Sequence, residues 1–105
     1  MDLTQYVRDI PDFPQEGIVF KDITPLLSNS SAFRFVIDSF SMHYSDKKID
    51  AIVGIDARGF IFASALAYRM GIGFIPVRKP GKLPYKTIEE QYDLEYGSNT
   101  LAIHE

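Results

Sequence analysis

The residues best suited to chemistry lie in one short turn, Asp56-Ala-Arg-Gly59. The run Asp50–Ile55 before it reads as a buried strand, and Phe60–Met70 after it reads as an apolar helix. A turn that opens a helix presents backbone N–H groups and the positive end of the helix dipole, here beside the Arg58 guanidinium. These groups suit a phosphate or a pyrophosphate. In open α/β sheets, ligands bind at the carboxyl ends of the strands, where this turn is expected to lie.

The charge distribution favours an anion site near this turn. The net charge is −3, which argues against a general nucleic-acid binder. Between Asp56 and Glu89 there is nevertheless no acidic residue, and the segment carries these basic ones: Arg58, Arg69, Arg78, Lys79, Lys82 and Lys86. The pattern indicates a local anion-binding site. The alternative is a solvated basic surface whose acidic neighbours come from elsewhere in the fold.

Length and composition restrict the class of protein. A chain of 105 residues forms one domain at most, and its 46% hydrophobic and 24% charged residues are typical of a folded soluble protein. The absence of cysteine excludes disulfides and thiolate metal sites and indicates a reducing compartment, which we expect to be the cytoplasm. No apolar run approaches the length of a membrane span, and the polar N-terminus is unlike a secretory signal. His43 and His104 lack the spacing of metal ligands.

The N-terminal part is predicted to hold two helices around a short extended run. Apolar residues at helical spacing define the first: Leu3, Tyr6, Val7 and Ile10. Asp2 would cap this helix and Pro11 would end it, before a rigid turn over residues 11–17 and an extended run at Ile18–Phe20. A further turn is expected at Pro25.

The second helix is predicted to be capped by Ser30 or Ser31. Its apolar face consists of Phe33, Val36, Ile37, Phe40 and Tyr44. Gly73–Val77 then reads as a strand parallel to Asp50–Ile55, so that the two strands and the helix between them, closed by Gly71, form a βαβ unit. Pro76 inside the second strand indicates an edge position or a bulge.

The C-terminal part is predicted to hold a basic loop and a hairpin. Arg78–Pro84 contains two prolines and a glycine and cannot be helical. Tyr92–Tyr96 and Thr100–His104 alternate in polarity as strands do, with Gly97-Ser-Asn99 as the predicted hairpin turn.

Four segments, in this order and spacing, resemble the adenine phosphoribosyltransferases, a family of type I phosphoribosyltransferases. They are Phe13-Pro-Gln-Glu-Gly-Ile-Val-Phe-Lys-Asp-Ile-Thr-Pro25, Gly54-Ile-Asp-Ala-Arg-Gly-Phe60, Val77-Arg-Lys-Pro-Gly-Lys-Leu-Pro84 and Tyr92-Asp-Leu-Glu-Tyr-Gly97. The resemblance implies transfer of a phosphoribosyl group from phosphoribosyl pyrophosphate (PRPP) to adenine, which gives AMP and pyrophosphate in purine salvage. The enzyme class implied is a glycosyltransferase, specifically a pentosyltransferase.

The implied fold is α/β: a phosphoribosyltransferase-like (Rossmann-like) parallel sheet flanked by helices, truncated before the PRPP signature strand and loop. Residues 1–105 would form the N-terminal portion of one domain. Within it, 1–30 would hold the adenine-side segment and the N-terminal helix, 31–78 the βαβ core, and 79–105 the basic loop and a lid hairpin.

The resemblance implies that one set of residues contacts PRPP and its pyrophosphate: Asp56, Ala57, Arg58, Gly59, Arg78, Lys79 and Lys82. Gly59 would allow close backbone approach, and Arg58 can make bidentate bonds to phosphate oxygens. Arg78 is similar to a residue that reaches into the neighbouring subunit's site, which implies a homodimer. Pro80 stands where some relatives carry another basic residue. In the alternative interpretation, Lys79 and Lys82 are solubilising residues on an exposed loop.

A second set is implied to hold adenine: Val19, Phe20 and Lys21. An aromatic ring offers a stacking face to a purine, and the Val19 backbone can bond the Watson–Crick edge. Many relatives carry arginine where Lys21 stands, so its contact would be less directional. In the alternative interpretation, Val19 and Phe20 are ordinary core residues of a short strand.

Glu95 and Tyr96 resemble the catalytic pair of a mobile lid. A carboxylate in a water-excluded pocket can manage the purine proton as N9 attacks C1′ of the ribose. Magnesium would accompany the pyrophosphate, held by substrate oxygens and waters. In the alternative interpretation, Asp93 and Glu95 simply face solvent on a hairpin strand.

The second signature of these enzymes, an apolar strand ending in two acids and followed by a Thr/Gly-rich loop, is absent from the sequence. We therefore expect a fragment of a longer enzyme, or one piece of a split structure, with no useful transferase activity alone. Such a βαβ unit is expected to expose an unpaired edge and an apolar face. The competing interpretations are a non-catalytic ligand-binding or regulatory module of the same fold, and a dimerisation fragment.

Overall fold

The structure is a computed structural model that describes residues 1–94 and 97–105. Backbone contacts divide the chain into two compact units, Met1–Met42 and His43–Glu105. The elements of the first unit are a 3-10 helix at Leu3–Tyr6, strand β1 at Arg8–Pro11, strand β2 at Val19–Asp22, helix α1 at Thr24–Ser28 and helix α2 at Ser30–His43, whose last residue lies across the boundary. Within the described ranges, no helix combines the length and the apolar character that crossing a membrane requires.

The predicted N-terminal helix is wrong. Asp2 does cap a helical turn, because its carboxylate accepts a bond from the Thr4 N–H at 3.0 Å. However, the turn is a short 3-10 helix, and Arg8–Pro11 instead pairs antiparallel with β2. The reason is that residues 11–18 bend back tightly: Gly17 has a φ of 86°, and the Phe13 N–H donates to the Ile18 carbonyl at 3.0 Å. The strand partner that this bend supplies outweighs the helical spacing.

Two further local predictions in this unit need correction. Helix α1 forms where only a turn was expected, since Pro25 lies in the first turn of a helix, where its missing N–H has no cost. Asn29, rather than a serine, caps α2: its side-chain oxygen accepts the Ala32 N–H at 2.9 Å. Helix α2 itself is confirmed, and Ala32 and Ile37 are buried on it.

The second unit is a mixed sheet with one helix against it. Its elements are strand β3 at Ala51–Ile55, helix α3 at Arg58–Met70, strand β4 at Gly73–Arg78, strand β5 at Thr87–Leu94 and strand β6 at Gly97–His104. The strand order is β3-β4-β6-β5, with β3 and β4 parallel and the other pairs antiparallel. Gly71 ends α3 in a left-handed conformation with a φ of 72°. The predicted βαβ unit is confirmed.

Pro76 is tolerated inside β4 because of the side of the strand that its backbone nitrogen faces. The Asp56 N–H donates to the Val77 carbonyl, so Val77 faces β3 and its neighbour Pro76 faces the other side of β4. On that side β6 pairs only with Val77 and Arg78, so the missing N–H of Pro76 breaks no ladder bond. The predicted hairpin turn at Gly97-Ser-Asn99 is wrong, because these residues belong to β6 and Leu94 pairs with Gly97. The loop at residues 79–86 is non-helical, as expected.

One face of the sheet packs against α3, and the other is apolar and open. The core of this unit consists of Ala63, Leu66, Ala67 and Ala102, all less than 9% exposed. On the opposite face Val53 is 55% exposed, Ile55 50% and Ile75 37%. Among the described residues β3 has β4 as its single strand partner, so the sheet has an apolar face beside an open edge, as the sequence predicted.

Candidate functional site

The predicted anion-binding turn lies at the carboxyl ends of two parallel strands. Asp56 follows β3, and its N–H donates to the Val77 carbonyl near the end of β4 at 2.9 Å. Helix α3 starts at Arg58, with Ala57 as an N-cap residue that makes no side-chain capping bond. The helix therefore begins without the side chain that usually satisfies its first N–H groups. The Asp56–Ala57 peptide bond is cis.

A tight contact between strand and helix holds this turn in place. A Cβ on Gly54 would lie 2.6 Å from Ala63 Cβ, 2.7 Å from Phe74 Cε1 and 3.0 Å from the Gly59 carbonyl oxygen. Glycine is therefore required in the middle of β3, since any side chain would push α3 away. A Cβ on Gly59 would instead make ordinary contacts of 3.7 Å with Gly54 and Ile55, so the chain itself could accommodate alanine there. The role of Gly59 in ligand approach stays a prediction.

We predict that Gly54→Ala destabilises the fold and displaces the start of α3. Overpacking of this kind typically costs about 1–3 kcal/mol of unfolding free energy, and the closest obstacles here include the helix backbone. The measurement is urea unfolding followed by circular dichroism. Gly73→Ala is the matched control, because a Cβ on Gly73 of the adjacent strand would meet nothing within 4 Å. Equal stability of the two variants would contradict this account.

The basic loop and the turn are joined by Arg78. Its Nε donates to Asp56 Oδ2 at 3.1 Å, and its Nη1 donates to the Lys82 carbonyl at 3.4 Å. The Arg78 and Asp56 side chains are 35% and 28% exposed, so the ion pair is partly screened by solvent. In the predicted anion site, Arg78 would compensate the charge of this carboxylate. Two segments predicted separately from the sequence thus meet.

The other basic residues predicted to contact pyrophosphate all have exposed side chains. Arg58 is exposed at the first position of α3. Lys79 and Lys82 are exposed on the loop, where the Lys82 N–H donates to the Lys79 carbonyl at 3.2 Å. This bond stabilises a turn within the loop, and the binding role of the two lysines stays a prediction.

The predicted purine segment is β2, in the first unit. The alternative that Val19 and Phe20 are core residues fails for Val19, which is 56% exposed, whereas Phe20 is half-buried. Phe20 lines a cavity of about 210 Å³ together with Ile10, Phe13 and Asp22. The Phe13 ring meets the Phe20 ring edge-to-face, with centroids 5.1 Å apart. The cavity thus offers aromatic surface on the side of β2 opposite to Val19.

The backbone of β2 is also suited to hydrogen-bond the edge of a purine base. Val19 pairs in register with Pro11, and proline has no N–H to donate to the Val19 carbonyl. β2 has a strand partner on one side only within its two-stranded sheet. Lys21 projects from the other face than Phe20 and forms an ion pair with Asp9 at 2.6 Å. Its contact with a purine would therefore compete with that pair.

The predicted catalytic pair, Glu95 and Tyr96, lies outside the described residues. Two residues that lie beside the predicted site were not singled out from the sequence: Gly54 and Phe13. Only Gly54 carried a signal, because a glycine inside a strand often marks close backbone approach.

Comparisons with known proteins find relatives and solved structures that are adenine phosphoribosyltransferases. The chain is 61% identical over 105 residues to the adenine phosphoribosyltransferase of Solidesulfovibrio magneticus, matching 100% of this chain and 61% of that protein. The crystal structure of adenine phosphoribosyltransferase from Thermoanaerobacter pseudethanolicus is 50% identical, with a TM-score of 0.90 over 97% of this chain and 59% of the other. APRTase from Giardia lamblia, complexed with 9-deazaadenine, is 38% identical, with a TM-score of 0.94 over 98% of this chain and 57% of the other.

The chain thus spans about three fifths of the length of the curated relatives it matches. No family model matches the chain.

Proposed function

We propose that this chain, which is similar along its whole length to adenine phosphoribosyltransferases, supplies the pyrophosphate- and purine-binding parts of such an enzyme. The reaction is transfer of the phosphoribosyl group of PRPP to adenine, giving AMP and pyrophosphate. It is a pentosyltransferase reaction of purine salvage. The observation that carries the proposal is the bond between Arg78 of the basic loop and Asp56 of the turn. It brings two anion-binding segments to the carboxyl end of one parallel strand pair, where ligands of such sheets bind.

The pyrophosphate half of the proposal rests on charge. As the bond to C1′ breaks, the leaving pyrophosphate gains negative charge, and preorganised donors stabilise it most where that charge develops. Arg58 and the N-terminus of α3 would supply such donors, together with Arg78 of the same or of the neighbouring chain. Lys79 and Lys82 would add positive charge from the loop.

The purine half rests on the cavity beside β2. Phe20 and Phe13 offer aromatic surface to an adenine ring, and the Val19 backbone offers hydrogen-bonding groups to its edge. The structure of the Giardia relative contains 9-deazaadenine, a purine-like ligand of the size that this interpretation requires. Glu95 and Tyr96 are proposed as the catalytic pair that manages the purine proton.

We further propose that Mg²⁺ enters with its substrate. Pyrophosphate oxygens and waters are the hard ligands that this ion prefers. Asp56 is a poorer ligand than its position suggests, because its Oδ2 already accepts a bond from Arg78. A cytoplasmic location is proposed as well, since a chain without cysteine suits a reducing compartment.

The direct experiment is an assay of the full-length protein with labelled adenine, PRPP and Mg²⁺, after its intact mass has been verified. Formation of labelled AMP with an equal amount of pyrophosphate is expected. The 105-residue chain assayed beside it is expected to give no useful turnover. A full-length protein that binds adenine and pyrophosphate without joining adenine to the sugar would favour a regulatory module. One that associates but binds neither would favour a dimerisation fragment.

We also propose that the working form is a homodimer in which Arg78 serves the neighbouring site. Its guanidinium is about one third exposed while it bonds its own turn, so a second molecule can reach it. We predict that mixing the Arg78→Ala and Arg58→Ala proteins restores activity at a PRPP concentration too low for either variant alone to turn over. Random exchange between symmetric dimers makes half of them mixed, each with one complete site, so recovery should be about a quarter of wild type. No recovery after verified exchange would restrict Arg78 to its own site.

A further inference from the structure

Arg78 also contacts an aromatic side chain, that of Phe60. The Arg78 guanidinium carbon lies over the ring of Phe60, 5.9 Å from its centroid. At this distance the negative face of an aromatic ring attracts a cation. With the Asp56 carboxylate and the Lys82 carbonyl, the guanidinium has three neighbours on different sides: two hydrogen-bond acceptors and one ring face.

These three contacts leave a defined edge of the guanidinium. Nε bonds Asp56 and Nη1 bonds Lys82, whereas Nη2 has no partner among residues 1–94 and 97–105. Arginine presents its donors in a fixed planar fork. Fixing two nitrogens and the plane therefore fixes the direction of the third. The free Nη2 edge is then oriented before any anion arrives.

Phe60 is held in place by two contacts, one through its ring and one through its backbone. It packs edge-to-face with the ring of Phe74 of β4, with ring centroids 5.3 Å apart and an interplanar angle of 86°. Its backbone N–H donates to the Ala57 carbonyl at 3.1 Å, so the residue is part of the same turn as Asp56. The place of the Phe60 ring, against which Arg78 lies, therefore depends on both the turn and β4.

We propose that Phe60 is a positioning residue whose ring face sets the guanidinium plane of Arg78 and thereby the affinity for the diphosphate of PRPP. The proposal rests on the proposed function. It holds whichever subunit's site Arg78 serves, because the ring and the arginine belong to one chain. A ring that acts by this route affects the binding of the diphosphate group and leaves the proton transfer to adenine unchanged.

The test compares Phe60→Leu, Phe60→Tyr and Phe74→Leu in the full-length protein. Leucine keeps an apolar side chain but has no π face, tyrosine keeps the face, and Phe74→Leu removes aromatic packing without touching Arg78. The probes are inorganic pyrophosphate, measured by calorimetry, and PRPP, measured as KM. Phe60→Leu is expected to weaken both about two- to five-fold, the effect of an exposed cation–π contact, with kcat within about two-fold.

The controls separate positioning from packing. Phe60→Tyr should bind pyrophosphate within about two-fold of wild type, and Phe74→Leu should lose thermal stability but keep that affinity. Equal weakening by Phe60→Leu and Phe74→Leu would overturn the proposal, as would unchanged affinity in Phe60→Leu. A wild-type protein that binds neither pyrophosphate nor PRPP would instead overturn the proposed function. The two failures are therefore distinguishable.

Discussion

Glu95→Gln is expected to lower kcat of the full-length protein about 100-fold or more while leaving the KM for adenine and PRPP within about three-fold, because general acid–base catalysis typically contributes 10²- to 10⁴-fold. Glutamine keeps the shape of the side chain but can neither take up nor release the purine proton. A loss confined to kcat indicates an interaction made only in the transition state. The measurement is steady-state kinetics with each substrate varied in turn.

The control for Glu95 is Asp93→Asn. It removes the same charge two residues earlier in the sequence, so it reports any general effect of charge in this segment. We expect its kcat to remain near that of wild type. A normal kcat in Glu95→Gln would remove the carboxylate from the mechanism, and equal losses in the two variants would point to a general charge effect.

Arg58→Ala is expected to weaken pyrophosphate binding about 10- to 100-fold, since a hydrogen bond to a charged group is worth about 1.5–3 kcal/mol. Arg58 is exposed at the first residue of α3. Its guanidinium adds to the positive end of the helix dipole, so both attract the same anion. The measurement is calorimetry with pyrophosphate and Mg²⁺ at two ionic strengths, and the affinity of wild type should fall as salt rises.

Arg69→Ala is the matched control for Arg58. It removes an exposed arginine from the last turn of the same helix, so both variants change the net charge equally. The two positions are about 16 Å apart along the helix axis. If Arg69→Ala weakened binding as much as Arg58→Ala, the attraction would come from overall charge, and the turn would lose its assigned role.

The βαβ unit and the place of the Asp56–Gly59 turn could be predicted from the sequence because the signals there are local and agree. The apolar run before Asp56, the apolar helix after it and Gly71 at the helix end all point to one arrangement. Parallel pairing then places Asp56 and Arg78 together at the carboxyl ends of β3 and β4. The bond between them could not be predicted, since it depends on side-chain directions across 22 residues of sequence.

The predictions that failed involve competition between local and non-local partners. The spacing of Leu3, Tyr6, Val7 and Ile10 is helical, yet Ile10 pairs with Phe20 in a sheet that the spacing cannot report. The glycine at position 97 suggested a turn, but Gly97 is the first residue of β6 and pairs with Leu94 in the ladder of β5 and β6. Gly54 and Phe60 were missed because their roles appear only once α3 lies against β3 and β4.

The open edge of β3 has a practical consequence for anyone handling this chain. Backbone donors and acceptors along Ala51–Ile55 lie beside Val53 and Ile55, both half exposed, a combination that templates strand addition between molecules. The β3 edge is therefore prone to intermolecular strand pairing. The substitution Val53→Lys is expected to keep concentrated samples monodisperse, because its charge would have to be desolvated before two β3 edges could pair.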